Sequence, residues 1–395
     1  MIRIESGVVT KILREAEGIR EIEVLIDNKP ERAIQYTRLS APVVPGEGVL
    51  LNTSAVRLGL GTGGYHFVLP KAAVSELDRN KGHIMKLRYT PGQVCVLSCE
   101  EPEHPAHQCL KDQDSLQGMP VVAAELHSMM PAIAATVSFL AENETEASTS
   151  GLQGGFGQNA GSVRRPRVAY VMTDGAALPL WFSRTVEELK SKGLICGTVT
   201  TGHAYGGDLE AINVYSGLLA ARHVLDADLA IVTMGPGIVG TGTKFGHTGI
   251  EQGMVINAAA SLNGTAVACP RISFSDSRSR HYGVSHHTLT SLAKVALTGA
   301  YVPVPELEPE RLEIVMGQLE EAHIQTKHKV LVRDGSVVKR AAVNYDLRLS
   351  TMGRSLAEDE SFFLAAGATA LWAMELLNGM RLSASVQTGR QEGVS

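Results

Sequence analysis

Aromatic residues are scarce in this chain, at 5% of 395 residues with two tryptophans. So few rings argue against the stacking platforms that hold single-stranded nucleic acid. An excess of positive charge is also missing. A net charge of −5 offers no general means of neutralising phosphate, so no nucleic-acid partner is expected. No apolar run is clean enough to cross a bilayer. The best stretch, 119–141, carries Glu125, His127 and Pro131, and no membrane partner is expected either. The first ten residues alternate and hold Arg3 and Glu5, so no secretory signal is read there. Five cysteines, an odd number in so long a chain, suit a reducing compartment better than a disulfide framework. These absences predict a cytoplasmic protein. What is present is apolar bulk: 44% hydrophobic and 19% charged residues, enough for a sizeable core and two or three domains.

Residues 1–100 read as β. Short runs at Gly7–Leu13, Ile22–Ile26, Val49–Asn52, Phe67–Leu69 and Val94–Leu97 are separated by turn signals such as Asp27-Asn28 and Pro91-Gly92. That spacing suits a small β-barrel-like domain. Residues 101–166 read as a connecting segment. It comprises helical turns on either side of Pro131 within 119–141, then a polar linker over 142–165. Over 167–380 the pattern alternates. Strands are expected at 167–172, 194–200, 229–234 and 265–269, with helices between them. Asp208 is placed as the N-cap of a helix reaching Leu225. Thr248 with Glu251, and Ser355 with Glu358, are placed as capping boxes. A hairpin is expected from 329–332 and 337–340, and the last long helix is expected to end at Gly379. The fold class is therefore α/β: an N-terminal small β-barrel-like domain followed by a Rossmann-like parallel-sheet α/β domain, with 381–395 as a flexible tail.

Ligands of open parallel sheets collect beyond the carboxyl ends of the strands. Loops after the four expected strands hold His203, His247, His281, His286 and His287, five of the 13 histidines. The glycine loop supplies Gly235, Gly237, Gly240, Gly242 and Thr243, which would offer backbone N–H groups to an anion. Arg278 and Arg280 lie two apart. In an extended loop both guanidiniums would grip one phosphate or carboxylate, with an ion pair to Asp276 as the alternative for the first. Acid–base candidates are Asp174, His203, Asp208, His281 and His286. A subset of these five also suits zinc or another transition metal. His287 reads as a helix-start residue, and Glu251 as a cap.

Gly235 to Gly240 matches G-x-G-x-x-G, but three glycines follow where a helix should open, and Asn257 and Asn263 stand where a dinucleotide site needs an acid. Thr243-Lys244 reverses the order of a P-loop. Neither pattern names a cofactor. Cys95, Cys99, His104, His107 and Cys109 fit no standard zinc spacing and read as an ordinary loop. Two functional readings stand. One is an enzyme acting on a small anionic metabolite, phosphorylated or not, by acid–base or metal-assisted chemistry. The other is a non-catalytic protein that senses a nucleotide or metabolite.

Four strings carry a family likeness: LLNTSAVRLGLGTGGYHFV, HAYGGDLEAINVYSGLLAARHVL, VTMGPGIVGTGTKFGHTGIEQG and PRISFSDSRSRHYGVSHHTLT. On these the chain resembles an uncharacterised bacterial family classed as a domain of unknown function, over about residues 1–380. The resemblance implies one unit of barrel and α/β body. It implies no activity, substrate or cofactor, so no residue inherits a role from it. A homodimer is the default expectation for a chain of this size.

Overall fold

Strands β1 (Ile4–Ala16), β2 (Ile19–Ile26), β3 (Lys29–Tyr36), β4 (Gly48–Asn52) and β5 (Tyr65–Val68) close into a ring in the order β1-β2-β3-β5-β4. Asp27 and Asn28, at φ 49° and 61°, take the left-handed backbone that a two-residue hairpin turn demands. They set Ile26 opposite Lys29. Two bulges in β1 bend that long strand round the ring. Val9, Ile22, Val24, Ala33, Val49 and Leu51 fill it. Strand β3 escapes the sequence pattern because Pro30, Glu31 and Arg32 interrupt its apolar alternation. The computed structural model describes residues 2–60, 63–71, 82–150 and 165–391. The chain divides into two compact units, Met1–Leu97 and Ser98–Ser395.

The second unit is built on eight parallel strands. In chain order they are β6 (Pro120–Ala124), β7 (Val168–Thr173), β8 (Gly197–Thr200), β9 (Leu209–Glu210), β10 (Leu229–Met234), β11 (Thr265–Cys269), β12 (Tyr301–Pro305) and β13 (Lys329–Arg333). In space they run β9-β8-β7-β10-β6-β11-β12-β13. The inner strands β6, β7 and β10 are buried along their whole length, as continuous apolar runs in a sheet covered on both faces should be.

Helices α1 (Met130–Ser150), α2 (Arg184–Ser191), α3 (Val214–His223), α4 (Glu251–Ser261), α5 (His286–Thr290), α6 (Pro309–Glu321), α7 (Val337–Asn344) and α8 (Glu360–Gln391) accompany the sheet, along with a short helical turn at His107–Leu110. Helices α1, α2, α7 and α8 pack on the face shared by Val122, Tyr170 and Ile231. Helices α3, α4 and α6 pack on the face shared by Val121, Val171 and Val232. The chain therefore leaves β6 toward one edge of the sheet and leaves β11 toward the other. Neighbouring strands whose connections diverge open a crevice at their carboxyl ends.

Several local expectations are corrected. Met119–Ala141 is not helical throughout. Its first part is β6, the middle of the sheet, and helix α1 begins at Met130 with Pro131 just inside it, where a missing N–H has no partner to lose. The expected linker 142–165 lies largely outside the described residues, although α1 runs into it as far as Ser150. Asp208 caps no helix. Asn213 does so, accepting from the N–H groups of Tyr215 and Ser216. Thr248–Ile250 forms a 3-10 turn, and Thr248 Oγ1 accepts from Val239 N rather than from its own helix. Residues 337–340 are helical, so β13 pairs in parallel with β12 and makes no hairpin. Of the second capping box one half forms: Glu358 Oε2 accepts from Ser355 N at 2.7 Å. Helix α8 does not stop at Gly379 and continues to Gln391, through most of the expected flexible tail. By length and composition Glu360–Arg381 could cross a membrane, yet 61% of its window is buried inside the protein, as in a core helix.

Gln252, 2% exposed, fastens α4 to the ends of β6 and β11. Its Nε2 donates to the carbonyls of Ala123 (3.0 Å, on β6) and Cys269 (2.8 Å, at the end of β11). Gln252→Leu is expected to leave both carbonyls short of a donor and to lower stability by roughly 1–3 kcal/mol. Urea unfolding checks this: the midpoint should fall with the slope unchanged.

Candidate functional site

Glu125 follows β6 directly and is completely buried. A carboxylate in that position must be paired. Arg271, two residues beyond β11 and 2% exposed, supplies the pair. Its Nη1 donates to Glu125 Oε1 at 3.1 Å, and its Nη2 to Asp276 Oδ2 at 3.3 Å. His287 Nδ1 reaches the same Glu125 oxygen at 2.9 Å, and Thr288 Oγ1 donates to the other at 2.8 Å. Burial pushes the Glu125 pKa up, but His287 and Arg271 outweigh it and hold the group down at about 2. Gly249 passes so near that a Cβ there would lie 2.9 Å from Glu125 Cγ.

Asp276 is held well below the usual carboxylate range, chiefly by Arg278, whose Nε (2.9 Å) and Nη2 (2.7 Å) fork onto it. Arg354 Nη2 stands 3.7 Å from Asp276 and 2.8 Å from Asp359. Ser273 Oγ donates to Asp359 at 2.8 Å. Three carboxylates and three guanidiniums thus tie the ends of β6 and β11 to the start of α8.

On this frame stand four imidazoles. His286 and His287 open α5, where Ser285 caps the first turn. Their ring centroids are 4.3 Å apart, and His281 lies 5.2 and 4.9 Å from them. His247, from the glycine loop, stacks on His287 at 3.9 Å and 6°. Because an ionised carboxylate only accepts, His287 carries its proton on Nδ1. His281 Nδ1 pairs with Ser285 Oγ at 2.9 Å. The nitrogens of His247 and Nε2 of His286 are buried and make no hydrogen bond. Burial pushes His281 down to about 3, with Arg271 and Arg278 adding to it, and His247 down to about 4. One ligand atom from each of His281, His286 and His287 falls within 4.8 Å of the others. Buried His127, by contrast, is satisfied by Tyr170 and Ser183 and is a core residue.

A second cluster occupies the same edge of the sheet. Thr173, the last residue of β7, donates its hydroxyl to Glu251. Burial pushes the Glu251 carboxyl up to about 7. The Thr173 bond works against this and the Asp174 charge adds to it. Asp174 Oδ2 accepts from His203 N at 2.8 Å, so these two candidates meet here. Asp208 does not join them. It accepts from Thr198 N and Oγ1 at 2.9 Å each and from Lys190, pinning the edge strand.

The glycine loop closes on itself. Thr241 N donates to Gly246 O (2.8 Å), Gly246 N to Thr243 Oγ1 (3.1 Å) and Thr248 N to Val239 O (2.9 Å). Gly235 and Gly237 flank Pro236, whose carbonyl accepts from Ala177 N and so joins this loop to the one after β7. Gly240 lies over His287, and Gly242 lies beside Arg280. The expected pairing of Arg278 with Arg280 on one anion fails. Ser279–His281 is a 3-10 turn rather than extended chain, and Arg278 is committed to Asp276. Arg280 is exposed and forms no ion pair among the described residues. Cys95 and Cys109 are exposed, Cys99 is buried, and His107 bonds the Glu100 carbonyl, so each is accounted for by its own surroundings.

A family model described as "Protein of unknown function (DUF3866)" matches residues 32–370. The chain belongs to the DUF3866 family. No curated protein and no solved structure matches it. The DUF3866 match contains every residue of both clusters, and its description assigns them no role.

Glu125, Arg271, His247, His287 and Glu251 were not singled out by the sequence reading as functional. A signal existed for Glu125: one acid in the otherwise apolar run 119–126 needs a buried partner. Arg271→Met is expected to strand two buried carboxylates and to destabilise by about 3–5 kcal/mol, read by denaturant unfolding. Glu251 gives a pH test. Its folded pKa is raised, so the folded state binds the extra proton and stability should fall as pH rises from about 4.5 to about 7. Glu251→Gln should flatten that slope in unfolding measured across this range.

Proposed function

We propose that this DUF3866 chain binds a small anionic metabolite in the crevice between β6 and β11 and acts on it with the imidazoles there. The observation that carries this reading is the convergence of four imidazoles beside one unpaired guanidinium at the point where the sheet connections diverge. Neutral imidazoles present lone pairs, which take up a proton or a metal ion. Arg280 gives the crevice a free cation, and its charge is felt at His286. Phosphate and carboxylate are the groups a guanidinium recognises in two-point fashion. Lys244, also exposed on the glycine loop, adds to the positive rim.

Thermal-shift and calorimetric titration with inorganic phosphate, pyrophosphate and malonate test the reading. At least one should stabilise the wild type. Arg280→Ala should weaken that ligand by about 10- to 100-fold, the value of one charge-assisted contact, while Lys190→Ala, outside the crevice, should not. Equal binding by the Arg280→Ala variant would move the site elsewhere. Binding with no turnover of any phosphorylated or carboxylated metabolite would favour a sensor at this same crevice.

A further inference from the structure

We propose that His281, His286 and His287 bind a divalent first-row transition metal, leaving a coordination position open toward the crevice. One ligand atom from each already lies within 4.8 Å of the other two, and zinc–nitrogen bonds of about 2.0–2.1 Å need only a modest further closing.

Proximity alone would not distinguish ligands from three crowded rings. The second nitrogens do. His287 Nδ1 is held by Glu125 and His281 Nδ1 by Ser285. Glu125, which only accepts, fixes the His287 tautomer and leaves its Nε2 as a lone pair, as outer-shell groups of histidine metal sites do, while Ser285 holds the His281 ring in place. Glu125 is suited to this because Arg271 and Thr288 keep it ionised and immobile. His286 presents a buried Nε2 with no hydrogen bond.

His247 is the independent sign. It is 6% exposed and stacked on His287, and neither of its nitrogens has a partner at full hydrogen-bond geometry, the Lys244 backbone acting on the ring only weakly. Buried polar atoms without partners are rare, and each calls for one. A metal-bound water at the open position would supply it. His247 falls outside the set of three, with its ring 3.9 Å from that of His287 and 5.6 Å from that of His286.

All three ligands are imidazoles. Such a donor set suits zinc, cobalt, nickel or iron(II), whereas magnesium and calcium prefer oxygen. Three protein ligands with a fourth place open is the pattern of catalytic rather than structural zinc. Adjacent histidines on a regular helix would diverge and share an ion only with help from a third ligand, here His281. At the start of α5, however, the two rings stand 63° apart in plane and converge. Metal binding of this kind needs neither Arg280 nor an anion.

The test uses the full chain with any polyhistidine tag removed. Elemental analysis should find about one zinc or similar ion per chain. After chelation and dialysis, adding Co2+ should produce visible d–d absorption that excess Zn2+ abolishes. His286→Ala removes a nitrogen with no protein partner, so folding should be retained, and circular dichroism checks this. That variant should lose Co2+ affinity by more than the ~10–100-fold expected for an outer-shell change. His203→Ala, in the second cluster, and Arg280→Ala should keep it. A folded wild type that takes up neither Zn2+ nor Co2+, or a folded His286→Ala that binds Co2+ as tightly, would overturn the proposal. Loss of phosphate binding with Co2+ retained would instead count against the anion site alone.

Discussion

A buried guanidinium between two buried carboxylates organises the functional edge of this protein. Arg271 joins Glu125, at the end of one strand, to Asp276, in the loop after its neighbour. These strands pair as far as Ala124 and Cys269 and then send their connections to opposite edges of the sheet, so Arg271 carries the tie beyond the end of the ladder. Buried ion pairs add little net stability over an apolar equivalent, and breaking one is costly. The value of this one lies in geometry. Glu125 orients His287, and Asp276 takes up the guanidinium of Arg278. Arg354 and Asp359 extend the same charge balance to the start of α8.

A buried carboxyl and a half-buried one on this edge are driven in opposite directions. Burial raises both, yet Glu125 meets Arg271 and two further donors and stays ionised, while Glu251 meets only Thr173 and the negative Asp174. Pairs of titratable groups pushed apart by their surroundings are how one site holds an acid and a base at the same pH. Burial pushes the His281 and His286 imidazoles down and neighbouring guanidiniums add to it, which leaves their lone pairs available.

Much of the α/β body was legible because fully buried parallel strands advertise themselves as short apolar runs, as Leu229–Met234 does. Strand β6 was hidden by its apolar continuation into α1, and β3 by its charges. The Val337–Asn344 helix was masked by Asp334-Gly335, which reads as a hairpin turn but leads from a strand into a helix. The site was legible in part. Strand–loop alternation was enough to place Asp174, His203, His281 and His286 at one edge. Their partners were not readable, because Glu125 and Arg271 are 146 residues apart and no local pattern joins them. Arg278 misled because spacing shows where two guanidiniums stand and not what neutralises them.

Strand β6 is the first of its sheet to appear in the chain, yet it sits between β10 and β11, which come more than a hundred residues later. A ribosome therefore releases the central strand long before either flanking strand exists. At ordinary synthesis speeds the wait is on the order of ten seconds. Through that interval Pro120–Ala124 is an unpaired apolar edge, and Glu125 is a carboxylate with its guanidinium not yet made. The second unit thus has a late assembly step: its central strand gains both neighbours, and Glu125 its guanidinium, only once Cys269 and Arg271 have been made.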